Sequence, residues 1–214
     1  MARKQLTASV DTRENLLRLA ARSFGTQGYS ATTMRGIAEQ AGIEAASIYY
    51  HFSSKEELVD AVMAHGAESI VQHLKEHLDA LPPDADARQR FKAAIVGQMS
   101  ALVKFGDYAM AHNRLLAQLP DKARERQIKR REQHQKLWTS LMDDLREQGF
   151  LRADVDIHLC RLYALAFVNS VQTWFNPRKG SLERVAEQFC AVFFEGAGPA
   201  GVRNTSKDAA LTAS

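Results

Sequence analysis

The sequence predicts an all-α protein of nine helices, and three observations carry that expectation. Apolar residues recur at helical intervals along most of the chain. The 214 residues include only five prolines. No alternating β-branched run, and no hairpin dipeptide between apolar runs, interrupts the pattern. A hydrophobic fraction of 45% with 25% charged residues is ordinary for a chain with a packed core.

The first helix is expected to begin at Ser9–Asp11, where Asp11 and Glu14 have capping-box spacing, and to run to about Gln27. Its inward stripe is Leu16, Leu17, Ala20, Ala21 and Phe24, and Gly28 supplies the stop. Thr32 and Thr33 offer caps for a short helix from Met34 to Ala41, which Gly42 breaks into a tight turn. A second short helix follows from Ala45 to Tyr50. Ser53/Glu56 and Ser54/Glu57 are both spaced to cap a fourth helix, expected over 55–80. Pro82-Pro83-Asp84 breaks the chain, and five more helices are expected near 86–105, 107–118, 121–148, 155–175 and 181–195. The segment 198–214 is small and polar and is expected to be disordered.

Two short helices joined by a glycine turn and packed on a longer one make a helix-turn-helix. Ile37, Ala38, Ile43 and Ile48 can face the first helix, which leaves the outer side of the second short helix free for a major groove. Charge agrees with this placement. Residues 1–55 hold seven basic and four acidic side chains, so the whole formal excess of +3 lies in the N-terminal quarter, where a polyanion would be met.

The stretch TTMRGIAEQAGIEAASIYYHFSSKEELVDAV, Thr32 to Val62, resembles the tetracycline-repressor family of bacterial one-component regulators. The resemblance rests on the capped Thr33, Ile37-Ala38, Ala41-Gly42-Ile43, Ile48-Tyr49-Tyr50-His51-Phe52 and Ser54-Lys55-Glu56-Glu57-Leu58. It implies a three-helix DNA-binding domain over 1–54 and a six-helix ligand and dimerisation domain over 55–197. The expected function is that of a repressor, binding a palindromic operator as a homodimer and released by a small molecule. By the same resemblance Arg35 reaches a base edge, where its fork suits guanine O6 and N7. Ala45, Ala46 and Ser47 occupy the base-reading positions. Many relatives carry Lys, Arg or Gln at the first of these; two alanines offer only methyl contacts, so specificity should lean on Arg35, Ser47 and DNA shape. Thr33, Tyr49, Tyr50, His51 and Lys55 match positions that mostly hold phosphates, while Ile48 and Phe52 read as core.

The helices near 155–175 and 181–195 carry more apolar surface than one core needs. Leu159, Leu162, Tyr163, Ala166, Phe167, Ser170 and Trp174 mark the first; Leu182, Val185, Ala186, Phe189, Val192 and Phe193 mark the second. A symmetric dimer interface is expected there. The stretch from Gln148 to Phe189 is similar to a branch of the family that controls lipid or steroid breakdown and responds to acyl-CoA thioesters. That resemblance points to an apolar slot of Leu102, Phe105, Met110, Leu116, Trp138, Met142 and Phe167, with Trp174, Arg178 and Lys179 at the polar end. Core packing accounts equally well for each slot residue, and a solvated loop for the two cations. A multidrug sensor controlling an efflux system is the alternative regulator. A helical-bundle enzyme is the alternative of another class, against which stands the lack of any catalytic set.

Other features point to no further site. His73 and His77 have i, i+4 spacing that can chelate a metal, yet no third ligand is evident, so no metal and no cofactor are expected. The basic run Lys122 to Arg131 reads as a solvated face. Cys160 and Cys190 read as small buried hydrophobes and fit a reducing cytoplasm. No apolar run approaches the length of a membrane span, and Met1 to Thr12 lacks a secretory signal, so a cytoplasmic protein without a membrane partner is expected.

Overall fold

A computed structural model describes residues 2–116, 118–119 and 121–197. Among the described residues there are eight α-helices, one short 3₁₀ helix and no strand. They are α1 (Ala2–Gln27), α2 (Met34–Ala41), the 3₁₀ helix (Ser47–Tyr50), α3 (Lys55–Asp79), α4 (Ala87–Lys104), α5 (Gly106–Leu115), α6 (Asp121–Glu147), α7 (Ile157–Trp174) and α8 (Leu182–Ala197). The tail expected to be disordered, 198–214, lies outside the described residues.

Local capping chemistry explains why most boundaries fall where the sequence puts them. Asp86 and Gln89 form a reciprocal box at the start of α4, each side chain accepting the other's backbone N–H at 2.8 and 2.9 Å. Asp156 caps α7 by accepting from the N–H groups of His158 and Leu159. Gly149, at φ +77°, ends the turn after α6 and lets the Phe150 N–H reach the Leu145 carbonyl at 2.9 Å. Two expectations need correction. Helix α1 starts at Ala2, not near Ser9–Asp11. The Asp11/Glu14 spacing therefore falls inside a continuing helix, where i, i+3 residues share a face. The second short helix is 3₁₀ and begins at Ser47, not at Ala45.

The chain forms two compact units that do not follow its linear order. The first takes residues up to 72 together with 101–134, and the second takes 73–100 and 135 onward. The division expected at residue 54 rests on the family resemblance; packing groups most of α3, α5 and the first half of α6 with the helix-turn-helix. Its core contains the full expected stripe of α1, with Ile37, Ala38, Ile48 and Phe52, and also Leu58, Val62, Ala111, Leu115 and Leu119. Glycine makes the close approaches. A Cβ at Gly25 would sit 3.2 Å from the Ala111 nitrogen, and one at Gly66 would sit 3.1 Å from the Tyr108 Cβ. In the same unit Asp60 on α3 gathers part of the basic run of α6. Arg126 bonds its carboxylate at 2.6 Å, and Gln127 and Arg130 approach its side chain and carbonyl at 3.4 Å. The run is therefore anchored on one side, not a purely solvated face.

The second unit is built on aromatic contacts. Fully buried Phe91 meets Phe193, Phe194 and Trp138 at centroid distances of 5.1, 5.6 and 6.0 Å, and Phe167 stacks on Phe189 at 4.1 Å. A polar chain in this core is satisfied in sequence: Trp138 Nε1 donates to Gln98 Oε1 at 2.7 Å, and Gln98 Nε2 donates to Asn169 Oδ1 at 3.1 Å. Helix α7 buries Cys160, Ala164, Val168 and Val171. Its other apolar stripe, which includes Leu159, Leu162 and Tyr163, is exposed in the single chain.

Candidate nucleic-acid interface

Thr33 sets the start of α2. Its backbone is extended, and its hydroxyl oxygen accepts the Gly36 N–H at 3.0 Å. Capping uses a lone pair and leaves the O–H able to donate outward, so the same side chain can still meet a phosphate. Thr32, the other cap candidate, is buried instead and donates to the Gly28 carbonyl at 2.8 Å. At the other end of α2, Gly42 adopts the left-handed conformation at φ +69° and its N–H reaches the carbonyls of Ala38 and Glu39. The Ile43 N–H returns to the Ala38 carbonyl at 3.1 Å, which closes the turn.

Beyond that turn an apolar peg orients the recognition segment. Ile48 is fully buried, and the residues around it point elsewhere. Ala45 and Ala46 are exposed, Ser47 and His51 are half-buried, and Tyr49 and Tyr50 are 55% and 90% exposed. Two exposed tyrosines side by side are unusual for residues of their size and give the surface aromatic hydroxyl donors. Phe52 closes the segment into the core, with the Arg13 guanidinium 4.9 Å above its ring.

The charged residues are held differently. Arg35 is exposed on α2 and pairs with Glu39 at 3.0 Å, one turn along the same helix. An exposed pair of this type is worth only about 0.2–1 kcal/mol, so a guanine edge can displace the glutamate at little cost. At the start of α3 the Ser54 hydroxyl accepts the Glu57 N–H at 3.1 Å, and the Glu57 carboxylate accepts from the Ser53 N–H at 2.7 Å. Bonding to Ser53 holds the Glu57 carboxyl below the usual carboxylate range. Glu56, the other expected capping partner, accepts from the Tyr29 hydroxyl at 2.8 Å. Lys55 lies with its Nζ 4.2 Å from the centre of the same Tyr29 ring. Tyr29 is absent from the sequence-derived site because its partners Lys55 and Glu56 lie far along the chain, beyond any local spacing rule.

The expected slot residues fall into both units. Leu102 is buried, Phe105 and Leu116 are partly buried, and Met110 is largely exposed, all in the first. Phe105 lines an open cleft of about 540 Å³ whose other walls include Arg18, His65, Lys104, Asp107 and Tyr108. In the second unit Trp138 and Met142 are buried and Phe167 stacks on Phe189. Trp174 is exposed, with its Nε1 donating to the Ser170 hydroxyl at 3.0 Å, and Arg178 and Lys179 are exposed on the loop that follows. His73 and His77 do not converge on a metal-type cluster; the His77 Nδ1 lies 2.8 Å from the His73 carbonyl. Among the described residues no group of three or more His, Cys, Asp or Glu is arranged to hold a metal. No described helix is long and apolar enough to cross a membrane.

Comparison with known proteins bears on the family and the fold. Residues 16–62 match the family model described as bacterial regulatory proteins, tetR family. Residues 84–197 match the model described as tetracyclin repressor-like, C-terminal domain. The HTH-type transcriptional repressor KstR2 of Mycolicibacterium smegmatis is 30% identical over 189 residues, covering 86% of this chain and 89% of that protein. The solved structure of the ketosteroid transcriptional regulator KstR2 of Mycobacterium tuberculosis superposes with a TM-score of 0.74 at 26% identity, covering 87% of this chain and 95% of that one. AibR in complex with isovaleryl coenzyme A and operator DNA shares the fold, with a TM-score of 0.72 at 22% identity over 86% of this chain and 98% of that one.

Proposed function

Because this chain belongs to the tetR family of bacterial regulatory proteins, we propose that it is a homodimeric, cytoplasmic repressor released from a palindromic operator by a CoA thioester. The observation that carries the DNA-binding half is the recognition segment itself. Ile48 is fully buried while Tyr49 and Tyr50 are exposed and Ser47 is half-buried, and Arg35 on the preceding helix is exposed as well. On this reading Arg35 and Ser47 read base edges and Ala45 and Ala46 contribute methyl contacts. Thr33, Tyr49, Tyr50, His51 and Lys55 hold phosphates.

The effector half is supported by the likeness to a ketosteroid regulator and by the exposed Trp174 close in sequence to Arg178 and Lys179. An indole and two cations suit an adenine ring and phosphates, while Phe167, half-buried against Phe189, supplies apolar surface for an acyl or ring-bearing group, with Trp138 and Met142 buried in the same unit. Effector binding would act through α3, whose residues belong to both units, by favouring one of two spacings of the paired heads. Only an effector with different affinity for the two spacings can release DNA.

The test is an electrophoretic shift on the DNA upstream of the protein's own gene, with and without a panel of CoA thioesters. A dimer-sized complex at moderate salt, dissolved by one class of thioester, is the expected result. Arg35→Ala should lose about 1–3 kcal/mol of preference for the operator over random duplex, whereas Lys55→Ala weakens both alike and lowers the salt slope by about one. Equal losses on both DNAs for Arg35→Ala remove its reading role. The absence of any complex removes the repressor reading.

A further inference from the structure

Tyr29 lies outside both the helices of the helix-turn-helix and the residues assigned to DNA contact, yet three elements hold it in place. Gly28, at φ +85°, turns the chain out of α1 immediately before it. The Tyr29 backbone N–H donates to Gln118 Oε1 at 3.1 Å, in the segment that follows α5. Its ring lies 14° from parallel to the buried Phe24 ring, with centroids 6.4 Å apart. This fixed ring then meets the start of α3. The Lys55 ammonium lies 4.2 Å from the ring centre, and the hydroxyl donates to Glu56 Oε1 at 2.8 Å.

We propose that Tyr29 is the positioning residue for the Lys55 phosphate contact, its ring seating the ammonium and its hydroxyl keeping the neighbouring Glu56 carboxylate engaged. The inference rests on the reading of Lys55 as a phosphate ligand. Two effects combine. A cation over a ring face is partly stripped of water and restricted in its rotamers, so less water and less freedom remain to be given up when a phosphate arrives. A carboxylate one residue from that ammonium would otherwise compete with phosphate for it and repel the DNA backbone. The titration behaviour agrees with the geometry. Burial pushes the Lys55 ammonium down, with Glu56 acting against it, and the bond from Tyr29 is the largest influence lowering the Glu56 carboxyl.

The experiment uses the full chain and a fluorescently labelled random-sequence duplex of about three helical turns, because a phosphate contact is independent of sequence. Affinity is followed by anisotropy over a range of salt, with circular dichroism melts for every variant. Tyr29→Phe keeps the ring and its stacking but frees Glu56; it should bind severalfold more weakly than the parent. Glu56→Gln in the Tyr29→Phe background should restore affinity by more than it adds to the parent, and that excess separates positioning from a purely structural role. Tyr29→Phe binding like the parent while Lys55→Ala binds weakly overturns the proposal, as does an equal effect of Glu56→Gln in both backgrounds. Lys55→Ala with unchanged affinity and salt slope overturns the reading of Lys55 itself, a separate outcome.

Discussion

His112 illustrates how one residue can carry a pH dependence of its own. It sits on α5, where Arg131 approaches its Nε2 at 3.1 Å. Burial first, and the Arg131 charge second, push its pKa down to about 4 from the ordinary 6.5. Above pH 6.5 the ring is neutral in both the folded and the unfolded chain, so it costs nothing. As pH falls from 6.5 towards 4, only the unfolded chain takes up the proton, and stability falls. Below about 4 both forms are protonated and the slope ends. The full loss is on the order of 3 kcal/mol, because each tenfold drop in proton affinity corresponds to about 1.4 kcal/mol. Urea unfolding across this acid range should therefore show a shallower decline for His112→Gln than for the parent. Parallel curves would mean that the ring is not held neutral. Nothing local in the sequence announces this, since Arg131 lies on another helix. The same holds for Tyr29 with Glu56 and for Asp60 with Arg126. Contacts made across the fold are illegible in the sequence, whereas Thr33 and Ser54, which cap their own helices, are legible.

Elements are readable where their ends are chemically marked. Gly42 shows which property of glycine a turn requires. A Cβ at that position would meet no atom within 4 Å, so space is not the constraint. The left-handed φ of +69° is. Gly42→Ala should cost roughly 1–2 kcal/mol of unfolding free energy, the penalty of that conformation for an L residue, while Gly42→Asn should cost clearly less because asparagine tolerates it. Denaturant melts that find the two variants equal would shift the explanation to packing. Periodicity reads the recognition segment as α-helix from Ala45, because Ile48 faces inward in either helical form. What periodicity does not distinguish is an i→i+3 from an i→i+4 bond over one turn, and the structure adopts the tighter 3₁₀ form from Ser47. Helix α7 poses a different problem. It is apolar on two sides, and the sequence pattern does not say which side enters the core; Cys160, Ala164, Val168 and Val171 do.

For the whole molecule, the other side of α7 is the surface proposed to pair with a second copy. Tyr163 is 64% exposed, and Val192 on α8 is 71% exposed, so a second copy of this surface would cover what the single chain leaves wet. A twofold pair also matches a palindrome, whose half-sites lie about 34–36 Å apart or at multiples of that distance. Tyr163→Asp changes no core residue and should give a folded monomer in sedimentation, with operator affinity reduced by orders of magnitude because one head must bind without the other. A variant that stays dimeric, or a monomer that retains full affinity, counts against this interface.

The first compact unit draws on two separate stretches of chain, and that bears on engineering. Regulators of this kind invite hybrid construction, in which the reader of one is joined to the sensor of another. Here a graft cut at residue 54 would take α1 away from the partner it was shaped to fit. Gly25 is small because the Ala111 backbone lies against it, and Tyr29 leans on Gln118. A recipient with a different α5 would present side chains to a surface complementary to this one alone. The transferable reader is thus the whole first unit, residues up to 72 together with 101–134, two pieces that are distant in the gene and packed as one.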